Sequence, residues 1–174
     1  MSFIDTIKGA LPDYAKDTKL NLDAVLVRST LDADVALGCA VAALAATGNG
    51  KVLSILLADA PVHAESAMTA ASIMAQNNVW YPYVEMADDP ALKGLPAQLR
   101  MNAIANHGGT TKSNFEAFSL AASIVGKCHF CVKAHYETLK TEGYTVEAEK
   151  AINKIDRPKS EGNEDTKSAA SGES

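Results

Sequence analysis

Apolar residues recur at helical spacing along almost the whole chain, and no stretch alternates between apolar and polar residues as a half-buried strand would. One segment, residues 33–47, is apolar nearly all round, which indicates a central, buried helix. Residues 79–83 have a strand-like composition, but Pro82 demotes them to an extended loop after a helix stop at Asn77-Asn78. The pattern predicts an all-α protein with helices at residues 2–9, from 12 onward, 33–47, 51–58, 61–76, 90–94, 96–106, 113–125 and 128–141.

Local capping signals mark several of these helix ends. Ser2 and Asp5 form a predicted capping box for the first helix. Asp32 or its neighbour is the predicted N-cap of helix 33–47, which ends at residues 48–50. Ser113, followed three residues later by a glutamate, is a second predicted capping box that would open helix 113–125.

Two helix–glycine–helix junctions form a weak internal repeat. Residues 50–55 match residues 126–131, and in both copies an apolar helix runs into a glycine before a new helix begins. The first copy has Val52 and Ile55 where the second has cysteines. We therefore expect two related helical halves, of which the first lacks the chemistry.

Length and composition define the extent of the folded domain. The chain has 174 residues and is 47% hydrophobic, which is typical of one globular domain. That domain is expected to cover residues 1–155. Residues 156–174 contain no large apolar side chain, so they are predicted to form a polar, disordered tail.

The net charge, the apolar runs and the first residues of the chain indicate its compartment and exclude some classes of partner. A formal net charge of −5 argues against nucleic acids and anionic membranes as partners. The longest apolar run, residues 36–46, is too short to span a bilayer. Asp5 and Asp13 interrupt the first residues, which therefore do not resemble a signal peptide. These features predict a cytoplasmic protein, in which a close cysteine pair is more often catalytic or metal-binding than structural.

The candidate chemistry lies in the last predicted helix. Cys128, Cys131 and His135 fall within an arc of roughly 60° on one helix face, whereas His129 projects about 100° away and is expected to be exposed. The thiolate is the reactive form of cysteine, and a neighbouring imidazole can take the thiol proton. This group of residues is therefore suited to dithiol redox chemistry.

Glu116 lies upstream of the cysteines and has two interpretations. On a single straight helix it would be about 18 Å from Cys128, so a break is needed, and Gly126-Lys127 supplies one. Glu116 then either completes the Ser113 capping box or joins the cysteines as an acid–base group.

Metal binding and other cysteine motifs are the competing interpretations. Structural zinc usually takes four ligands, whereas the Cys-x-x-Cys pair with His135 offers three, and His63 and His107 are too isolated in sequence to add a fourth. Those two histidines are expected to be structural or exposed. Attachment of haem needs a histidine where the chain has Val132, and a thioredoxin fold needs strands. Cys39 is expected to be a small buried hydrophobic residue. Neither a metal nor a bound cofactor is predicted.

The same chemistry resembles that of a known family. Four residues are similar in type and spacing to the active-site signature of the AhpD-type alkylhydroperoxidases, in the carboxymuconolactone decarboxylase-like superfamily: Glu116, Cys128, Cys131 and His135. Similarity at residues 10–22, 101–106 and 113–116 extends the resemblance over residues 1 to about 145. Phe130 departs from the family, which often has a polar or imidazole side chain there. The polar carboxy terminus also departs, since family members continue with apolar helices.

The resemblance implies a compact multi-helix fold with two related halves and an antioxidant peroxidase mechanism. Cys131 would attack an alkyl hydroperoxide and become a sulfenic acid, and Cys128 would condense with it to a disulfide. Glu116 and His135 would carry the proton away from Cys131. The resemblance further implies a dihydrolipoyl-bearing component of a 2-oxoacid dehydrogenase as reductant, a peroxiredoxin as electron acceptor, and a homo-oligomer such as a trimer.

Other functions remain open at this point. A thiol–disulfide adaptor that passes electrons from dihydrolipoyl groups to a peroxiredoxin would use the same residues. A decarboxylase of the carboxymuconolactone group would share the fold without the cysteine pair, and a zinc-stabilised helical module would not be an enzyme. The residues alone also allow the reverse order of cysteines, because Cys128 lies nearer the helix amino terminus, where the dipole stabilises a thiolate.

Overall fold

The computed structural model describes residues 2–156, and this part of the chain is helical with no strand. The α-helices in it are, in order, α1 (Phe3–Ala10), α2 (Lys16–Leu22), α3 (Ala33–Thr47), α4 (Gly50–Leu57), α5 (Ala64–Ala87), α6 (Pro90–Lys93), α7 (Lys112–Val125), α8 (His129–Thr141) and α9 (Val146–Asp156). Shorter helical turns lie at Asp13–Ala15, Asp23–Val27 and Asn102–Gly109. The all-α prediction is confirmed. None of the helices described is long and apolar enough to cross a membrane. Apart from its first residue, the predicted polar tail lies outside the described residues.

Three mutually packed helices, α3, α5 and α7, form the core. Val35, Cys39 and Val41 of α3 are all buried, which confirms the predicted central position of that helix. α3 and α7 approach closely at Gly38, where an added Cβ would lie 2.4 Å from the Phe118 ring. Small residues on α3 therefore leave room for the large aromatic side chains of α7.

Local caps begin and end the helices largely where the sequence predicts them. The Ser2 hydroxyl accepts from the Asp5 amide and the Asp5 carboxylate accepts from the Ser2 amide, so the first capping box is present. Asp32 accepts from two amides of the first turn of α3. Gly48 ends that helix in the left-handed conformation, at φ 72°.

α5 continues well past its predicted end. The sequence predicts a stop at Asn77-Asn78, and this prediction is wrong, because the helix runs unbroken over Ala64–Ala87. Both asparagine side chains bond across to other elements rather than to their own backbone. Asn77 Nδ2 lies 3.4 Å from Met101 Sδ, and Asn78 Nδ2 donates to the Ala122 carbonyl at 3.0 Å. Tertiary contacts thus override the local tendency of asparagine to end a helix.

The extended loop predicted at residues 79–83 is also wrong, since these residues form part of the same helix. The Tyr81 ring stacks on the Phe130 ring of α8, with centroids 4.2 Å apart. This contact ties the second half of α5 to α8. Pro82 has no backbone N–H, so α5 lacks one hydrogen bond at this position. The helix continues past it between the contacts of Tyr81 with Phe130 and of Glu85 with His129.

The helix predicted at residues 96–106 has the wrong start. Residues 96–101 are non-helical, and tight helical turns lie within Asn102–Gly109 instead, interrupted at His107 and Gly108, which have φ 51° and 59°. Met101 and Ile104 pack against the core from this segment. A short turn is enough to place its few apolar side chains, so a full α-helix is not needed there.

Both predicted helix–glycine–helix junctions are present. In the first, α3 passes through Gly48 into α4. In the second, α7 ends at Gly126 and α8 begins after Cys128. Lys127 makes that turn in the left-handed conformation, at φ 54°. The predicted break between Glu116 and the cysteines is therefore confirmed, and α7 packs against α8.

Candidate redox site

Cys128 and Cys131 are joined in a disulfide at the start of α8, with Cα atoms 5.3 Å apart. Cys128 is the N-cap residue of the helix, and its Sγ accepts a hydrogen bond from the Cys131 amide at 3.2 Å. The two residues are 0% and 3% exposed. The predicted dithiol pair is thus present in its oxidised form and lies below the surface.

The turn before Cys128 is fixed by contacts from two neighbouring helices. In α7, the Ser123 carbonyl accepts from the Cys128 amide at 3.2 Å. From α5, Asn78 Nδ2 donates to the Ala122 carbonyl at 3.0 Å. A Cβ added at Gly126 would lie only 2.1 Å from that same nitrogen. A side chain at position 126 would therefore displace Asn78, which occupies that space.

Glu116 of α7 and His135 of α8 face each other across the helix pair. His135 Nδ1 and Glu116 Oε2 are 2.6 Å apart, and the two side chains are 16% and 14% exposed. The other ring nitrogen, Nε2, lies 3.2 Å from Met74 Sδ. A carboxylate hydrogen-bonded to one ring nitrogen fixes the orientation of the imidazole. The pair is therefore suited to taking a proton from a neighbouring group.

The interpretation of Glu116 as a helix cap is wrong. The N-cap of α7 is Thr111, whose hydroxyl accepts from the Asn114 amide at 3.2 Å. Ser113 lies inside the first turn, because the helix begins earlier than predicted. Glu116 therefore has no cap to complete, and its carboxylate is directed to His135 instead.

The remaining histidines lie away from this pair. His129 is exposed, as predicted, and its Nδ1 lies 3.0 Å from Glu85 Oε1. His63 and His107 pack against aromatic rings of α7. Within residues 2–156, no three His, Cys, Asp or Glu side chains are placed to hold a metal ion.

Three residues of α5 contribute to the site and were not predicted. Met74 contacts His135, the Asn77 carbonyl oxygen lies 3.9 Å from Cys128 Sγ, and Asn78 anchors the turn. A signal for them exists, since the asparagine pair comes one helical turn after Met74 and so shares its face. A helix that stops at this pair would not carry the asparagines on the Met74 face, so the predicted stop left them out of the site.

Known proteins are similar to this chain over most of its length, although no family model matches it. The protein named alkyl hydroperoxide reductase AhpD from Rhodospirillum centenum is 42% identical over 149 residues, which cover 83% of this chain and 80% of the relative. The proteins of that name from Beijerinckia indica and a Bradyrhizobium species are 40% and 41% identical, over 78% and 82% of this chain and 78% and 81% of each relative. With this identity over this much of each protein, the chain belongs to the AhpD family of alkyl hydroperoxide reductases.

Proposed function

We propose that the protein reduces alkyl hydroperoxides with its Cys128–Cys131 pair, as part of antioxidant defence. The observation that carries this proposal is a disulfide at the start of the helix that also bears His135, an imidazole 2.6 Å from the Glu116 carboxylate. Relatives named alkyl hydroperoxide reductase support the substrate class. Two thiols supply the two electrons that a peroxide takes up, so the chemistry needs no bound cofactor.

The proposed cycle has two bond-forming steps. The Cys131 thiolate attacks the terminal peroxide oxygen, so an S–O bond forms, the O–O bond breaks and the alkoxide leaves as the alcohol. The Cys128 sulfur then attacks the sulfenic acid, so the S–S bond forms, the S–O bond breaks and hydroxide leaves as water. His135 takes the Cys131 proton and passes it to the alkoxide, while Glu116 stabilises the imidazolium.

The roles of the two cysteines are tested by mass spectrometry of the whole protein after one equivalent of peroxide. Cys128→Ser should retain a sulfenic acid at Cys131, and Cys131→Ser should lose turnover. The N-cap position of Cys128 favours a thiolate there, so sulfenic acid trapped at Cys128 would reverse the two roles. Absence of oxidation at either cysteine in the reduced native protein would refute the peroxidase function.

The reductant that we propose is a dihydrolipoyl group of a 2-oxoacid dehydrogenase component. Cys128 is 0% and Cys131 3% exposed, so the oxidised sulfurs lie out of reach of a dithiol fixed in the surface of another folded protein. A dithiol on a long flexible arm can enter such a site. Dihydrolipoamide should therefore reduce the disulfide faster than thioredoxin at equal concentration, and the opposite order contradicts this assignment. Electron transfer to a peroxiredoxin without direct reduction of peroxide would establish the adaptor function instead.

Glu116→Gln tests the proton relay. Glutamine keeps the size of the side chain but removes the charge that stabilises the His135 imidazolium. We expect an intact fold, a loss of turnover of about 100-fold and a pH–rate profile moved to higher pH, because without the relay the Cys131 thiol must ionise unaided. His135→Ala should behave alike, and the double variant should be little worse than either single one, because groups that act as a unit lose their effect together.

A matched control exists in the exposed pair between Glu85 and His129, whose atoms lie 3.0 Å apart. Glu85→Gln removes a carboxylate from a histidine in the same way, but outside the site. It should leave turnover and its pH profile unchanged. Full activity of Glu116→Gln at neutral pH would refute the relay.

A further inference from the structure

Four buried side-chain polar atoms of α5 and α7 have no hydrogen-bond partner within the described residues. Two are the hydroxyls of Ser119 and Ser123 on α7, and both residues are 0% exposed. The other two are the side-chain carbonyl oxygens of Asn77 and Asn78 on α5. Burying a polar atom without a partner is costly, so such atoms normally bind ordered water where the protein supplies no partner.

Helical spacing places the two serine hydroxyls on the part of α7 between α5 and α8. At about 100° per residue around α7, Ser123 lies roughly 20° and Ser119 roughly 60° from Glu116, both on the side toward α5. That side is identified by Ala122, whose carbonyl accepts from Asn78 Nδ2 at 3.0 Å. Seen along the axis of α7, both hydroxyls therefore lie between the Glu116–His135 pair and the asparagines of α5.

Cys128 lies at one end of this polar group. Its amide donates to the Ser123 carbonyl at 3.2 Å, and its Sγ is 3.9 Å from the Asn77 carbonyl oxygen. At the other end, Ser119 follows Glu116 by one helical turn. Helical spacing therefore places the Ser119 and Ser123 hydroxyls between Glu116 and the end of α7 that bonds to Cys128. Polar atoms from two helices supply the several partners that a buried water needs.

We infer that Ser119 and Ser123 hold ordered water between Cys128 and Glu116, and that this water carries the Cys128 proton during disulfide formation. The inference rests on the proposed peroxidase function and adds a second proton route to the one from Cys131 to His135. As the Cys128 sulfur forms the S–S bond, its proton passes through the water to the Glu116 carboxylate. From there it goes to the hydroxide that leaves Cys131. The serines act through the water and are positioning residues.

Ser123→Ala tests this route beside a matched control, Ser66→Ala. Ser66 is also buried, at 5% exposure, but its hydroxyl donates to the His63 carbonyl at 3.1 Å. One equivalent of cumene hydroperoxide starts a single turnover, and rapid-quench mass spectrometry separates formation of the sulfenic acid from formation of the disulfide. In Ser123→Ala the first step should be unchanged, and the second should slow by about tenfold or more, with its pH profile moved to higher pH. Ser66→Ala should match the native protein in both steps.

Ser123→Gly provides the rescue experiment. It removes the hydroxyl as well but leaves room for another water, so it should recover much of the rate lost in Ser123→Ala. Disulfide formation at the native rate in Ser123→Ala overturns the inference. If the Ser123 variants do not fold, the rate of disulfide formation in the native protein is measured at several deuterium fractions of the solvent. A curved dependence of this rate on the deuterium fraction indicates that several protons move in the step and supports the water route. A linear dependence contradicts it.

A small disulfide as oxidant separates this inference from the proposed function. The Cys131 thiolate attacks the small disulfide, so a mixed disulfide forms at Cys131 and one small thiolate leaves. Cys128 then attacks the Cys131 sulfur and displaces the second small thiolate. The Cys128 proton must move in this step as well, without any peroxide chemistry. Slow formation of the Cys128–Cys131 disulfide in Ser123→Ala under these conditions supports the water route even where peroxide fails to react. Formation of this disulfide at the native rate overturns the inference.

Discussion

Gly126→Ala tests whether the contact between α5 and the active-site turn determines the position of Cys128. An ideal Cβ at Gly126 would lie 2.1 Å from Asn78 Nδ2 and 2.7 Å from Asn78 Cβ. The asparagine side chain must therefore move and give up its 3.0 Å hydrogen bond to the Ala122 carbonyl. The backbone itself accepts alanine, because Gly126 has right-handed helical angles, φ −71° and ψ −8°.

The expected cost combines a steric and a polar contribution. Forcing an extra methyl group into a packed site costs about 1–3 kcal/mol, and losing a hydrogen bond costs about 0.5–1.5 kcal/mol. Against these, alanine restricts the unfolded chain and so stabilises the fold by about 0.4–1 kcal/mol. Gly126→Ala should therefore lower the free energy of unfolding by about 2 kcal/mol.

Urea denaturation of the native protein, Gly126→Ala, Asn78→Ala and the double variant measures this coupling. With Asn78 truncated the space is open, so Gly126→Ala should be neutral or slightly stabilising in that background. Gly9→Ala is the control, because no atom lies within 4 Å of its added Cβ, and it should stabilise α1. An equal cost of Gly126→Ala in both backgrounds would refute the steric explanation.

Two further contacts have expected outcomes of their own. Gly38→Ala brings a Cβ within 2.4 Å of the Phe118 ring, which is 0% exposed, so thermal denaturation should show a larger fall in Tm than for Gly126→Ala; an unchanged Tm would show that the ring moves aside. Hydrogen bonds from the Ser2 side chain and amide hold the pKa of Asp5 below its usual value of 3.8. A lowered pKa stabilises the fold at neutral pH and loses that effect as the pH falls through it, so the stability difference between the native protein and Asp5→Ala should shrink below about pH 4. A difference that stays constant with pH would contradict this account.

Helix ends that depend on residues within one turn could be predicted from the sequence. Asp32 caps α3 and Gly48 ends it because a carboxylate at an N-cap and a glycine in the left-handed conformation act locally. The same argument misplaced the start of α7, where Thr111 and Ser113 are rival caps of similar chemistry. Nothing in the local sequence decides between two hydroxyls so close together.

Elements that depend on distant contacts could not be predicted. Asparagines and a proline within residues 77–83 each disfavour a helix on their own. The structure offsets these tendencies with contacts to Met101, Ala122 and Phe130, which lie far away in sequence. α5 is therefore longer than predicted because of the helices that it packs against.

The candidate site shows the same division between local and distant causes. Cys131 and His135 lie in one helix and Cys128 is its N-cap residue, so their close spacing in sequence is enough to predict that they lie together. Glu116 reaches His135 only if the angle between the α7 and α8 axes brings the two side chains together. The sequence of the Gly126-Lys127 turn does not by itself determine that angle. Asn78 narrows that choice, because it fills the space over Gly126 and holds the end of α7. The pairing of carboxylate and imidazole thus depends on a third helix that the sequence motif does not include. A chain that keeps the motif but loses Asn78 should still form its disulfide while its proton relay weakens.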